Sequence, residues 1–164
     1  MTPSRARTER SDPPEAGLPP LREDERLAIL ARGRSVPIAA TLGLEFVRLE
    51  RGLCSIRMVR DRHFDGIYES LHGGLLMTLA DSAGAFAVLT LIPADEIITT
   101  TEMNIRFLAP VRGAVTAEAR VLKVGRTLCP IEADLIDDDG RLVAHAGMTY
   151  MRMRRDPTEG ESPR

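Results

Sequence analysis

The hydrophobic pattern divides this chain into two polar ends and a patterned middle. Residues 1–20 and 156–164 are rich in Arg, Pro, Ser and Glu and nearly lack large apolar residues, so we expect disordered tails. Apolar and charged residues alternate at helical spacing over residues 21–34, and a short turn or helix follows at 38–42. Nearly every residue from 75 to 91 is apolar or small, which predicts a helix buried on most sides.

Strand-like runs occupy most of the remaining middle of the chain. Two runs precede the long helix and four follow it, separated by short turns rich in Gly, Pro and Asp. Because the late connections are short, we expect the last four strands to be antiparallel neighbours. The pattern therefore predicts one α+β domain over residues 21–155, a curved antiparallel sheet wrapped around one helix. The predicted strands are residues 44–49, 53–59, 97–108, 114–124, 127–136 and 142–153.

Composition limits the class of protein. A length of 164 residues with 43% hydrophobic content suits one compact domain, while a net charge of −2 and 4% aromatics argue against nucleic-acid binding. The longest apolar run is interrupted by Asp81 and Ser82, and the N-terminus lacks a signal-like apolar segment, so we expect neither secretion nor a membrane span. Cys54 and Cys129 lack metal-ligand spacing and indicate reduced core thiols of a cytoplasmic protein without a metal.

Asp81 is the only charge in the long helix and the main candidate for chemistry. A carboxylate in apolar surroundings is costly unless it is hydrogen-bonded, paired or reached by water. Helical geometry places mostly small residues on its stripe, which leaves room for a ligand. Asp81 also fits a structural role, as an acid bonded to backbone groups. The stripe consists of Gly74, Met77, Thr78, Asp81, Gly84, Ala85 and Val88.

Three segments and the order of elements together resemble a known family. LHGGLLMTLAD at 71–81, MNIRFLAPVRG at 103–113 and VLKVGRTL at 121–128 are similar to the hotdog-fold acyl-CoA thioesterases, most of all the phenylacetic-acid-degradation (PaaI-like) branch. The resemblance covers residues 38–154. It implies hydrolysis of a small or medium acyl- or aryl-CoA thioester to free acid and coenzyme A, with no cofactor and no metal.

The resemblance also implies roles for individual residues. The Gly73 N–H corresponds to the family's oxyanion donor, and Asp81 to its general base or nucleophile. Thr100 corresponds to the hydroxyl that holds the attacking water, with Thr99 and Thr101 as alternatives. An N–H at a helix start suits negative charge on a carbonyl oxygen. The substrate-binding positions are His72, which orients the loop, and Gly74, Met77, Thr78, Gly66 and Glu69, with the acyl group entering beside Met77, Thr78 and Gly84.

Helix geometry adds a prediction about assembly. Gly73 and Asp81 are eight residues apart, which is about 12 Å along one helix. One thioester cannot readily touch both, so the two groups at one site should come from two copies of the chain. We therefore expect a two-fold homodimer with shared active sites, and the resemblance adds the association of two dimers into a tetramer.

Two positions depart from the family's pattern. Many relatives carry Asn six residues and Gly three residues before the motif His, where this chain has Gly66 and Glu69. Either Asp65 substitutes for the Asn, or the site serves another substrate, or hydrolysis is weak. Glu69 is either a second acid or a solvated loop charge.

Coenzyme A would need cations for its phosphates. Arg112, Lys123 and Arg126 lie in or beside turns that resemble the family's nucleotide-contacting region, although arginines are plentiful in this chain. Two other functions remain open. One is a non-catalytic acyl-CoA binding module, and the other is an enoyl-CoA hydratase or dehydratase of the same fold, in which His72 would have to act.

Overall fold

The chain folds as one antiparallel sheet crossed by one long helix. A computed structural model describes residues 18–154, so residues 1–17 and 155–164, with most of both predicted tails, lie outside the described residues. The helices are α1 (Glu23–Arg34), α2 (Pro37–Thr41) and α3 (Gly73–Leu89), with a short 3-10 helix at Arg62–Phe64. The strands are β1 (Glu45–Glu50), β2 (Leu53–Met58), β3 (Glu96–Phe107), β4 (Val115–Val121), β5 (Leu128–Asp137) and β6 (Leu142–Arg154).

The six-stranded sheet has the order β1-β2-β4-β5-β6-β3, and every pairing is antiparallel. The predicted fold class is therefore confirmed, but the expectation that the last four strands are successive neighbours is wrong for β3. That strand pairs with β6 at the edge, while β4 joins β2. The connection after β3 crosses the end of the sheet instead of turning back: Leu108 N donates to Val143 O (2.8 Å), and Val111 O accepts from Leu71 N (2.9 Å).

Small side chains let α3 lie close to the sheet. The helix packs on β2, β4 and β5, and Ala80, Ala83 and Ala87 on its inner face are fully buried. The sheet residues beneath it are largely alanines as well. Paired rows cross the sheet as Cys54, Ala119, Ala133 and Ala146, and as Ile56, Ala117, Leu135 and Ala144.

The helix α1 belongs to the N-terminal extension of the domain, residues 21–42. It packs against β1 and the end of α3. Gly33 allows the contact, since a Cβ there would lie 2.5 Å from the ring of Phe46. Phe46 in turn makes an edge-to-face contact with Phe86 of α3 at 4.9 Å between ring centroids. The apolar face of α1 is narrower than its sequence predicts, because Leu27 is 54% exposed and only Leu30 and Gly33 are buried.

Arg51, in the turn between β1 and β2, ties three segments together. Its guanidinium donates to Thr90 O (2.7 Å), to Glu25 Oε2 (2.9 Å) and to Pro19 O (3.1 Å). Thr90 caps the C-terminal end of α3, where a cation is favoured by the helix dipole. Gly52 N also donates to Thr90 Oγ1 (2.7 Å), which leaves this end of α3 fixed by both backbone and side chain.

We expect Arg51→Met to lower the free energy of unfolding by about 2 kcal/mol, because charge-assisted hydrogen bonds in a partly buried setting are lost together. Arg48→Met is the matched control, since Arg48 forms an exposed ion pair with Glu50 in the same hairpin, and it should cost under about 0.5 kcal/mol. Urea unfolding measures both. Equal effects of the two variants would contradict the role of Arg51.

Candidate active site

The start of α3 is shaped by His72 and by the absence of a side chain at Gly73. His72 is the N-cap residue, and its Nδ1 accepts a hydrogen bond from Gly74 N at 3.0 Å. Its own backbone N donates to Phe64 O (3.0 Å), which fixes the approach of the loop. The ring of Phe107 lies so close that a Cβ on Gly73 would be 3.1 Å from it. The orienting role predicted for His72 agrees with this geometry, in which the ring caps the helix.

The Asp81 carboxylate is held by two hydroxyl groups from the sheet. Thr100 Oγ1 donates to Asp81 Oδ1 at 2.7 Å, and the Tyr150 hydroxyl lies 2.9 Å from the same oxygen. Tyr150 also lies 2.6 Å from the backbone O of Asp81, so its single proton is shared between the two oxygens. Asp81 itself is half-buried. Among the described residues, both hydroxyl contacts to the carboxylate are on Oδ1, which leaves Oδ2 for a reactant.

Tyr150 is the member of this cluster that sequence reasoning missed. Its side chain is only 1% exposed, and burial, followed by the charge of Asp81, raises the pKa of its phenol well above the usual value. The phenol therefore stays neutral and acts as a donor. Gly84 makes room for it, because a Cβ there would lie 2.9 Å from the Tyr150 oxygen. A tyrosine in an apolar strand, which must find a partner for its buried hydroxyl, was the available signal.

An irregularity in β3 separates the three neighbouring threonines. The register with β6 shifts between Thr100 and Glu102, and Thr101 Oγ1 donates to Thr149 O at 3.0 Å. Of the three threonines, the structure brings Thr100 to Asp81. Bulges commonly lie beside active sites, where they redirect a side chain. The water-holding role of Thr100 remains a prediction, but its position suits it.

The stripe of α3 around Asp81 is open on one side. Gly74 is exposed and Met77, Thr78 and Ala85 are half-buried, as a ligand-binding or partner-binding face requires. Gly84, which was expected beside the acyl group, is instead buried against Tyr150.

In the loop before α3, the contacts of Asp65 argue against its substituting for the family's Asn. Asp65 forms a two-pronged ion pair with Arg60, whose hydrogen bonds lower the pKa of the Asp65 carboxyl. Arg60 also donates to Glu69 O (2.9 Å) and to Arg112 O (3.2 Å). Asp65 is therefore engaged in its ion pair with Arg60 and holds the loop in place. A side chain at Gly66 would have room, since its Cβ would lie 3.9 Å from His72 Cδ2.

Glu69 stands in a left-handed backbone conformation with φ +50° and is exposed. This conformation fits the Gly that the family resemblance implies at the position, because only Gly adopts it at no steric cost. The exposure of Glu69 agrees with the interpretation as a solvated loop charge.

The structure does not bring the three predicted phosphate-binding cations together in one chain. Arg112 lies before the first residue of β4, whereas Lys123 and Arg126 follow its last residue. The seven residues of β4 span about 23 Å at 3.3 Å per residue. All three side chains are exposed.

Residues 18–154 contain neither a helix with the length and apolar character of a membrane span nor a group of three His, Cys, Asp or Glu side chains placed to bind a metal. Cys54 and Cys129 are buried and unpaired by disulfides. Burial raises the pKa of the Cys54 thiol to about 12, which keeps it protonated.

Comparison with known proteins decides the family. The Thioesterase superfamily profile matches residues 68–144. The proofreading thioesterase EntH of Klebsiella pneumoniae is 32% identical over 116 residues, which are 70% of this chain and 85% of EntH. The chain belongs to the thioesterase superfamily. It is a thioester hydrolase with a hotdog fold.

Solved structures of thioesterases agree with this placement. A thioesterase family protein from Silicibacter pomeroyi superposes with a TM-score of 0.76 at 28% identity, covering 80% of this chain and 99% of that one. The PaaI protein of Escherichia coli superposes with a TM-score of 0.75 at 22% identity, covering 81% and 96%, and so supports the fold. The predicted hotdog fold and the resemblance to thioesterases are thus confirmed.

We expect Glu69→Gly to raise the free energy of unfolding by about 0.5–1 kcal/mol, because relief of the left-handed strain exceeds the entropy that Gly adds to the unfolded chain. Glu69→Ala removes the carboxylate but keeps the strain, so it should give no gain. Urea unfolding measures the stability, and turnover should stay unchanged in both variants. A loss of turnover in both would make Glu69 a second acid.

Proposed function

We propose that this thioesterase hydrolyses small or medium acyl- or aryl-CoA esters to free acid and coenzyme A. The observation that carries the proposal is the Asp81 carboxylate, placed on a half-buried helix face and held through one oxygen by Thr100 and Tyr150. A carboxylate fixed in this way is prepared to accept a proton from a water molecule.

Asp81 acts in this proposal as general base. Oδ1 is occupied by the two hydroxyl donors, and Oδ2 takes the proton of the attacking water. The Thr100 oxygen keeps lone pairs while its proton is donated to Asp81, so it can also accept a hydrogen bond from that water. The water adds to the thioester carbonyl, and the tetrahedral intermediate expels the coenzyme A thiolate, which takes up a proton.

The oxyanion of that intermediate is assigned to Gly73 of the partner subunit. Gly73 is the first residue of α3, where N–H groups lack intrahelical acceptors and the helix dipole is positive. Because a rigid helix holds Gly73 and Asp81 of one chain about 12 Å apart, the donor at each site comes from the second copy.

Two surface features support the dimer. The half-buried stripe of α3 needs a cover, and the 12-residue strand β3 has one edge without a strand partner among residues 18–154. A long free edge is a place for pairing with another chain. We propose that two copies meet here, with their α3 helices antiparallel. Coenzyme A phosphates then bind Arg112 or the pair Lys123 and Arg126, and not all three on one chain.

We expect Asp81→Asn to abolish hydrolysis of acetyl-, butyryl-, decanoyl-, phenylacetyl- and hydroxybenzoyl-CoA, because the amide cannot accept the proton. Free thiol release measures turnover, and size-exclusion chromatography should show an unchanged assembly. Asp95→Asn is the matched control, since Asp95 lies in the exposed turn before β3, and it should keep full activity. Undiminished turnover in Asp81→Asn would remove Asp81 from the mechanism.

We expect Tyr150→Phe to lower kcat about 10- to 100-fold with little change in KM, because the base loses one of the two contacts that orient its carboxylate toward the water. The chain has two tyrosines, and Tyr68→Phe, at a side chain that is 78% exposed, is the control. Steady-state kinetics separate the two constants. If KM rose while kcat stayed constant, Tyr150 would serve substrate binding and not the base.

A further inference from the structure

We propose that the groove between α1 and the C-terminal end of α3 binds the distal part of a medium-length, uncharged acyl chain whose thioester lies at Asp81. This inference rests on the proposed function and specifies its substrate. The groove encloses about 470 Å³, which is within the usual size of ligand pockets. Its apolar lining consists of Leu21, Ala28, Ile29, Leu89, Ile92, Pro93 and Ala94.

One face of α1 forms a wall of the groove. The α1 side contributes Leu21, Glu25, Ala28 and Arg32, at spacings of three or four residues, together with the adjacent Asp24 and Ile29. The N-terminal extension thus forms part of the cavity wall, because the close contact at Gly33 holds α1 against the rest of the fold.

A track on α3 leads from the catalytic acid to the groove. Asp81, Ala85 and Leu89 follow each other at four-residue spacing and are all half-buried, so they share the open face of the helix. Leu89 lines the groove. The intervening side chain at position 85 is only a methyl group, which leaves space over the helix surface.

A second track runs beside it on β3. Thr100 contacts Asp81, Ile98 packs against the core, and Glu96 lines the groove. Alternate residues of a strand point to the same side, so these three lie on the face that meets α3. Both elements therefore run from the Asp81–Thr100 pair to the same cavity.

The two tracks agree in length. Eight residues of helix from Asp81 to Leu89 cover about 12 Å, and four residues of strand from Thr100 to Glu96 cover about 13 Å. A saturated chain advances about 1.3 Å per carbon when extended, so roughly ten carbons span this distance and the carbons beyond them enter the groove. Short acyl groups end before it.

The charges around the groove point to an uncharged end of the acyl chain. Arg51 is paired with Glu25 at 2.9 Å, and Glu96 is paired with Arg152 at 2.7 Å. Asp24 and Arg32 also line the groove, but both are exposed and their charges stay hydrated. A charged end buried among the apolar lining would lose its water and would have to break one of the two pairs, whereas a methyl end needs only the apolar lining.

Filling the groove tests the inference. Ala28 is exposed on the groove face of α1, so Ala28→Trp adds bulk there without removing core packing. We expect kcat/KM for dodecanoyl-CoA to fall at least 10-fold while that for butyryl-CoA changes less than two-fold. Ala31→Trp is the matched control, because Ala31 is exposed on the same helix but does not line the groove, and it should change neither constant.

Ala94 lines the groove from outside α1, so Ala94→Trp should reproduce the chain-length effect. Because this variant leaves α1 unchanged, it separates filling of the groove from misfolding of α1. Equal losses for both esters, or no loss with dodecanoyl-CoA in either groove variant, would overturn the groove assignment while leaving the hydrolase intact. An inactive wild type with every ester would overturn the proposed function, and the groove assignment with it.

Discussion

The close approach of α3 to the sheet is the constraint on which the site depends. Alanines on the helix and on β4, β5 and β6 leave little between the two backbones, and this is why a side chain from the sheet can reach the helix backbone. The Tyr150 hydroxyl lies 2.6 Å from Asp81 O. A larger residue at Gly84 would occupy the space of that hydroxyl. The same small residues therefore determine both the packing of α3 on the sheet and the positions of the catalytic groups.

Both ends of α3 are fixed by polar contacts, which complement its apolar middle. The loop at His72 is tied to Phe64 and Val111, and the other end is held by Arg51 and Thr90. Such contacts prevent the helix from sliding along an alanine surface that offers few interlocking side chains. The position of Asp81 opposite Thr100 thus depends on residues more than two helical turns away.

The sequence predicts much of this architecture because local pattern determines local structure. The predicted bounds of α3 and of the six strands lie within a few residues of the observed bounds. The neighbour of β3 was predicted wrongly, because a short connection permits a turn back but does not require one. Tyr150 was missed for a related reason: it lies 69 residues from Asp81, and only the folded sheet brings them together. Asp81 stands out in the pattern as the only charge in the long helix, whereas Gly73 and Thr100 came from a family resemblance, which carries information about distant contacts that periodicity lacks.

The rigidity of α3 has a consequence for how the site is assembled. A base and an oxyanion donor on flexible loops could approach each other by a conformational change within one chain. Gly73 and Asp81 cannot, because both belong to one continuous helix whose length is fixed by its hydrogen bonds. Under the proposed mechanism, the only way to bring such groups to one carbonyl is a second helix running in the opposite direction. The exposed stripe of α3 and the free edge of β3 are then parts of the active site as much as of the interface, and turnover should depend on association of the chains.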